Sequence, residues 1–474
     1  MKINNNIQAL NAYRNLYQNQ FQTSKNLERL SSGLRINRAA DDAAGLAISE
    51  KMRSQIRGLK MAERNAMDGI SLMQTSEGAM QEVHTMLQRM RELAVQASND
   101  TNTEYDREQI QKEIDQLMTE IDSISEKTEF NTRKLLNGFS AVLTTFDQGS
   151  NDINLDGFPV VTDANLKSGD YQVVISDVSP TYTMTQPSAG LSGEDITIAN
   201  FGEDENESNM KLGEYTINIR EVENGYAKIE VIDPDGLSLG VESVPVGTSE
   251  EAGEGGEEAT EIFGLSINTQ NISSAGTVKV KVEVTATFEL RDMSGVDPDS
   301  NDEGRPVQAA REVTSVNGKF KHGGIDYQFK SNINEDSLNF TVTNNALSFQ
   351  IGPNTNQNVM IDIPQMDVVT LGIEGVNVLS NDAANDAIFR IDQAINKLSD
   401  ARAKLGAVQN RLEHTINNLQ VTHENLTASE SRIRDADMAL EMTEFTRNNI
   451  LNQSATAMLA QANQLPQGVL QLLQ

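Results

Sequence analysis

The chain has 474 residues, a formal net charge of −31 and no cysteine. Such a length is enough for several domains, and the missing thiols exclude disulfides, thiolate metal sites and cysteine nucleophiles while leaving the compartment open. No stretch approaches the ~18 apolar residues of a membrane span, and the start, MKINNNIQALNAYRNL, lacks the apolar h-region and small-residue cleavage site of a secretory signal.

From the N-terminus, Ile3, Ile7, Leu10, Tyr17, Phe21, Leu27 and Leu30 form a loose apolar stripe on a predicted helix. A second helix follows in which Met52, Leu59, Ala66, Met73, Met80, Leu87 and Ala94 recur every seven residues, the seam of a coiled coil. After the polar break NDTNTEYD, a third carries Ile110, Ile114, Leu117, Ile121 and Ile124 at alternating four- and three-residue spacing. Nine of the ten prolines lie between Pro159 and Pro364 and the tenth is Pro466, which leaves both flanks free to be long helices.

The middle differs in composition. Residues 141–380 hold 12 Lys and Arg against 39 Asp and Glu, so −27 of the net charge lies there and the two ends are nearly neutral. Residues 141–346 read as a β-rich region of one or two subdomains. TVKVKVEVTATFEL sets Val278, Val280, Val282, Val284, Phe288 and Leu290 on one parity, the pattern of a half-buried strand. LKSGDYQVVISDV from 166 and MKLGEYTINIREV from 210 make a weak repeat, and SEEAGEGGEEATE at 249–261 is an acidic, Gly-rich loop with little capacity to pack. An acidic surface of this kind keeps a crowded assembly soluble and repels nucleic acid. LSFQIGPNTNQNVMIDIPQMDVVTLGI at 347–373 predicts a β-hairpin, with Phe349 and Ile351 on one strand and Val359, Ile361 and Ile363 on the other.

The C-terminal flank returns to heptads. Ile391, Leu398, Leu405, Leu412, Leu419, Leu426, Ile433 and Leu440 keep a seven-residue spacing, with Ile388, Ile395 and Ile416 on the companion position. A helix of about 50 residues is about 75 Å long, far more than a globular core needs, so the two flanks are expected to pack on each other as a rod with the middle inserted at its far end. Leu451, Ala455, Met458, Ala462, Leu465, Val469 and Leu472 then continue to the terminus. This stripe and the N-terminal one are expected to supply the two strands of a second coiled coil. Both are thin. Ordering costs about 1–2 kcal/mol per residue against roughly 1.5–3 kcal/mol for each buried apolar side chain, so the cover is expected from neighbouring molecules and folding of the termini is coupled to assembly.

Catalytic and metal motifs are not expected. DPDSNDEGRPVQ from 297 has the acidic spacing of a calcium loop, but Asp302 stands at the turn glycine and Gln308 at the bidentate glutamate. His84, His322, His414 and His423 form no HExxH and read as solvated or heptad-edge residues. No cofactor is implied.

Five segments carry a family resemblance: NNNIQALNA near the start, LERLSSGLRINRAADDAAGLAISEKMRSQIRGL at 27–59, LQRMRELAVQASN at 87–99, RAKLGAVQNRLEHTINNL at 402–419 and NLTASESRIRDADMA at 425–439. Over residues 1–140 and 381–474 the chain resembles bacterial flagellin. The resemblance implies an α + β multidomain fold, with a long heptad-repeat helical core built from both termini and an inserted β-rich outer region. It implies a terminal coiled-coil, inner-tube domain at 1–43 and 436–474, whose Ile3, Ile7, Leu10, Leu451, Met458, Leu465, Val469 and Leu472 serve polymerisation. A helical rod domain at 44–140 and 347–435 would have Met52, Leu59, Met73, Met80, Leu87, Leu398, Leu405, Leu412 and Leu419 as its heptad core, and the outer insertion would span 141–346. Many flagellins place a similar hairpin directly after the second N-terminal helix, whereas here the insertion precedes it.

The implied function is structural, not enzymatic: a subunit that self-assembles into the helical flagellar filament for motility, extracellular, and exported unfolded by the flagellar type III pathway. The alternative within the family is a hook-filament junction protein. Implied partners are identical subunits, an export chaperone, the export apparatus, and the filament cap and junction proteins, with no nucleic acid and no membrane insertion. A host Toll-like receptor is a further possible partner. Arg89 and Leu93, four apart on one helix, and Glu113 on the next are the contact candidates that the resemblance carries over.

Overall fold

A computed structural model of the chain describes residues 7–146, 151, 153–192, 195–198, 210–223, 226–246, 260–294 and 304–472. The acidic loop at 249–261 and the calcium-like segment at 297–308 fall largely outside these residues. The helices are α1 (Ile7–Ser32), α2 (Ala43–Ala97), α3 (Glu104–Lys127), the single turn α4 (Val368–Leu371), α5 (Asn381–Arg434) and α6 (Met438–Leu472). Local signals set their ends. Gly33 takes the left-handed φ of 71° that closes α1, and Asp42 accepts from the Gly45 N–H at 2.8 Å to start α2. Thr103 and Asp106 form a reciprocal capping box on α3.

Two compact units result. The first takes the chain up to Thr75, Ser348–Val359, and Ala403 onward. In it α2 and α5 run antiparallel, joined by Arg434 to Glu50 at 2.6 Å and Gln420 to Glu63 at 2.7 Å. Leu59, Met73, Leu405 and Leu412 are buried in the seam, whereas Met52 and Leu419 are half-buried. The expected hairpin is present, its strands Leu347–Gln350 and Asn358–Ile361, with Ile351 and Ile363 falling beyond the strand ends and residues 348–359 in this unit. Its tip lies on α2: Asn65 donates to the Gln350 carbonyl at 2.9 Å, and a Cβ added to Gly58 would come within 2.9 Å of the Pro353 Cβ.

The second unit takes Ser76–Leu347 and Met360–Arg402. Its helical part buries Met80, Leu87, Ile110, Ile114, Ile121 and Leu398, and Arg91 binds Asp392 at 2.6 Å. Its β part is organised by the strand Gly276–Asp292, whose alternate residues Val278 to Leu290 are fully buried, as the sequence parity predicts. In the main antiparallel sheet the order is 142–145, 337–344, 169–186, 276–292, 213–223, 226–232 and 238–245, with 305–314 pairing the C-terminal part of 276–292. The weak sequence repeat has a structural counterpart. Its two strands flank 276–292 on opposite sides, and in each the tyrosine hydroxyl donates to the carbonyl of the lysine four residues earlier, Tyr171 to Lys167 at 3.0 Å and Tyr215 to Lys211 at 2.5 Å.

Phe288, Phe320, Tyr327 and Phe329 form an aromatic core, with Phe288 and Phe320 centroids 4.8 Å apart. His322 joins them. It is buried beside Phe288, not solvated or at a heptad edge, because alternation along Lys319–His322 turns its ring inward with Phe320. Chain entry and exit meet at one point: Val142 pairs with Asn344, and the Asn345 N–H donates to the Ala141 carbonyl at 3.2 Å.

Candidate assembly surface

The first unit also holds the terminal helices, α1 packed on α6. The face each presents to the other differs from the one the hydrophobic pattern predicts. On α1 the least exposed residues are Ala9, Ala12, Leu16, Asn19, Thr23, Asn26 and Leu30, a three-four heptad one step round the helix from the apolar stripe. On α6 they are Glu441, Phe445, Asn448, Asn452, Ala455, Leu459 and Ala462. Small residues let the backbones approach, and polar contacts do the joining. Arg29 Nη1 meets Glu441 Oε1 at 2.8 Å, and Asn452 Nδ2 donates to Thr23 Oγ1 at 2.8 Å.

The apolar residues point the other way. Ile7 is 68% exposed and Leu10, Tyr13, Tyr17 and Phe21 lie along the same open face of α1, while Met442, Ile450, Leu451 and Met458 are exposed on α6. Of the residues expected to serve polymerisation, Ile7, Leu10, Leu451 and Met458 therefore lie outside the intramolecular seam, left uncovered by their own chain. Ile3 and the side chains of Leu465, Val469 and Leu472 lie outside the described residues. Hydrophobic periodicity marks the face that water must leave, whichever molecule provides the cover; here the chain itself does not.

Where the helix pair joins the rest of its unit, the linkers are tied backbone to backbone. The Arg35 N–H donates to the Arg434 carbonyl at 2.7 Å and the Ala436 N–H to the Gly33 carbonyl at 2.9 Å. Asp41 fixes the turn into α2. It pairs with Lys25 at 2.9 Å and accepts from the Arg38 and Asn37 N–H groups, contacts that lower its carboxyl pKa to about 2.

The receptor candidates separate in the same way. Leu93 is only 2% exposed, on the buried side of α2 with Met90 and Ala94, so it cannot be offered together with Arg89. Arg89 is half-exposed and forked onto Glu113 Oε1 at 3.0 and 2.9 Å, with Glu92 at 3.1 Å. A four-residue spacing puts two side chains on neighbouring positions, not on equally open ones.

The helices correspond to known sequences. The family model of the bacterial flagellin N-terminal helical region matches residues 3–141 and that of the C-terminal helical region matches residues 388–473. A flagellin of Clostridium tyrobutyricum is 39% identical over 475 residues, covering 98% of this chain and all of the relative. The chain belongs to the flagellin family. A Bacillus subtilis flagellin is 35% identical with both chains fully covered, and a Salmonella typhimurium flagellin is 32% identical with 99% of each covered. Flagellins are structural subunits of the bacterial flagellar filament, and these alignments run through the β-rich middle as well as the helical ends.

Proposed function

We propose that copies of this flagellin assemble through the outward apolar faces of α1 and α6. The exposure of Ile7, Leu10, Tyr13, Tyr17 and Phe21 beside Met442, Ile450, Leu451 and Met458 carries the reading. Burying five such side chains contributes on the order of 10 kcal/mol, and two different stripes joined head to tail propagate into an open helical polymer when the rotation between copies does not close a ring. Residues 1–43 and 436–474 make the inner tube, 44–140 and 347–435 the surrounding rod, and 141–346 the acidic outer region of an extracellular filament. Leu419 and Met52 are seam positions completed by neighbouring subunits.

Export by the flagellar type III pathway, with a chaperone covering α6 beforehand, fits a helix that exposes apolar residues until it assembles. The cap and junction proteins meet the same terminal faces at the filament's ends. For a host receptor, Arg89 with Glu113 remains the accessible candidate, and Leu93 acts through the core beneath it. The test is seeded polymerisation of Leu10→Asp and of Met458→Asp, each checked for unchanged helical circular dichroism. We expect a folded protein that does not elongate seeds; filaments of ordinary length from either variant would remove the outward stripes as the assembly surface.

A further inference from the structure

The inner seam of α1 and α6 raises a question that the outward stripes do not. Its apolar content is Ala9, Ala12, Leu16 and Leu30 on α1 and Phe445, Ala455, Leu459 and Ala462 on α6, a mostly small set that could also pack on the α6 of another copy. Nothing in that content selects the partner. The polar residues do select. Glu441 is buried, its Oε1 is held by Arg29 Nη1 at 2.8 Å, and its Oε2 and the Arg29 Nε have no hydrogen-bond partner.

We propose that Arg29 and Glu441 act as a lock that pairs α1 with the α6 of its own chain in one register, so that the outward stripes are left for other copies. The inference rests on the filament reading above. A one-heptad slip moves the helices about 10 Å along each other, beyond the reach of Arg29, and leaves a buried carboxylate with no counter-charge, an arrangement far worse than the paired one. Registry is the best-attested use of a buried polar pair in a helical seam. Thr23 and Asn452 add a second polar contact further along the same seam. Closure within one chain is favoured because the lock lies beside the point where the linkers are bonded, through Gly33 to Ala436 and Arg35 to Arg434.

A charge exchange tests this in the full chain. Arg29→Glu and Glu441→Arg are made singly and together, and seeded elongation is followed for each protein and for an equimolar mixture of the two single variants. Each single variant is expected to elongate slower by roughly tenfold or more, and the double variant to recover. The mixture should stay as slow as its components, because neither chain can complete its own pair. Recovery in the mixture would show pairing between chains and overturn the lock, as would failure of the double variant to recover. Glu441→Gln keeps the shape and removes the charge; ordinary elongation by that variant would also overturn the proposal. If wild-type protein fails to elongate seeds, the filament reading fails instead, and the two failures are distinct.

Discussion

Burial against Phe288 holds the His322 imidazole below its ordinary pKa, with the Arg311 guanidinium adding to the effect and the Glu289 carboxylate opposing it. The neutral ring is therefore favoured in the folded state. Its contribution to stability is present above the unfolded pKa of about 6.5 and is lost as pH falls through the lowered folded value, since the unfolded chain binds the proton more readily. Tyr171, Tyr182, Tyr215, Tyr226 and Tyr327 are five of the chain's eight tyrosines and tryptophan is absent, so near-ultraviolet circular dichroism reports mainly on the β-rich region. Thermal melts followed by that signal should lose stability between pH 7 and 5 in the wild type, with a smaller slope in His322→Phe. Equal slopes would show that His322 does not titrate with unfolding. Nothing in the sequence around His322 signals burial by period alone, because Lys319–His322 is a strand of four residues. The nearby Phe320, two positions away and so on the same face, is the cue that was available.

At the level of elements, the alternating strand and the middle of the long heptads were legible because those stretches are buried by the chain that carries them, whereas Met52, Leu419, Leu426 and Ile433 are only half-buried. Met80, Leu87 and Leu398 are in the helical core, and Val278 to Leu290 in the sheet, where spacing placed them. The inner seam of α1 and α6 was not legible. Asn26, Asn448 and Asn452 have no hydrophobic signature, and the louder stripe one step round the helix faces away from the partner helix. Exact fit between elements is likewise invisible to periodicity, as Gly58 illustrates. Within a helix, alanine is ordinarily better than glycine by roughly 0.8–1 kcal/mol, but at Gly58 the new methyl would press on Pro353 at the hairpin tip. Overpacking of this kind costs about 1–3 kcal/mol, so Gly58→Ala should be net destabilising in urea unfolding followed by helical circular dichroism. A stabilised variant would mean that the hairpin tip yields freely.

For the whole molecule, charge and topology set the β-rich middle apart from the helical flanks. Residues 141–380 hold most of the acidic excess, and the insertion leaves and re-enters through the adjacent pair Val142 and Asn344. Replacing 142–344 by a short glycine turn between Ala141 and Asn345 should therefore preserve seeded polymerisation. The filaments should precipitate at lower salt, because the repelling surface is gone. Helical but non-assembling protein would assign essential subunit contacts to the excised region. The central claim, that other copies cover the outward stripes of the terminal helices, is best tested through the absence of native cysteine. Met458→Cys places one thiol at a position 64% exposed in the single chain, and Tyr226→Cys places a control thiol at an exposed position in the β-rich region. Maleimide labelling rates would be measured for monomer and for filament. The account predicts rapid labelling of both thiols in monomer, and in filament a loss of reactivity by roughly tenfold or more at 458 with little change at 226. Equal labelling of position 458 in monomer and filament would contradict it.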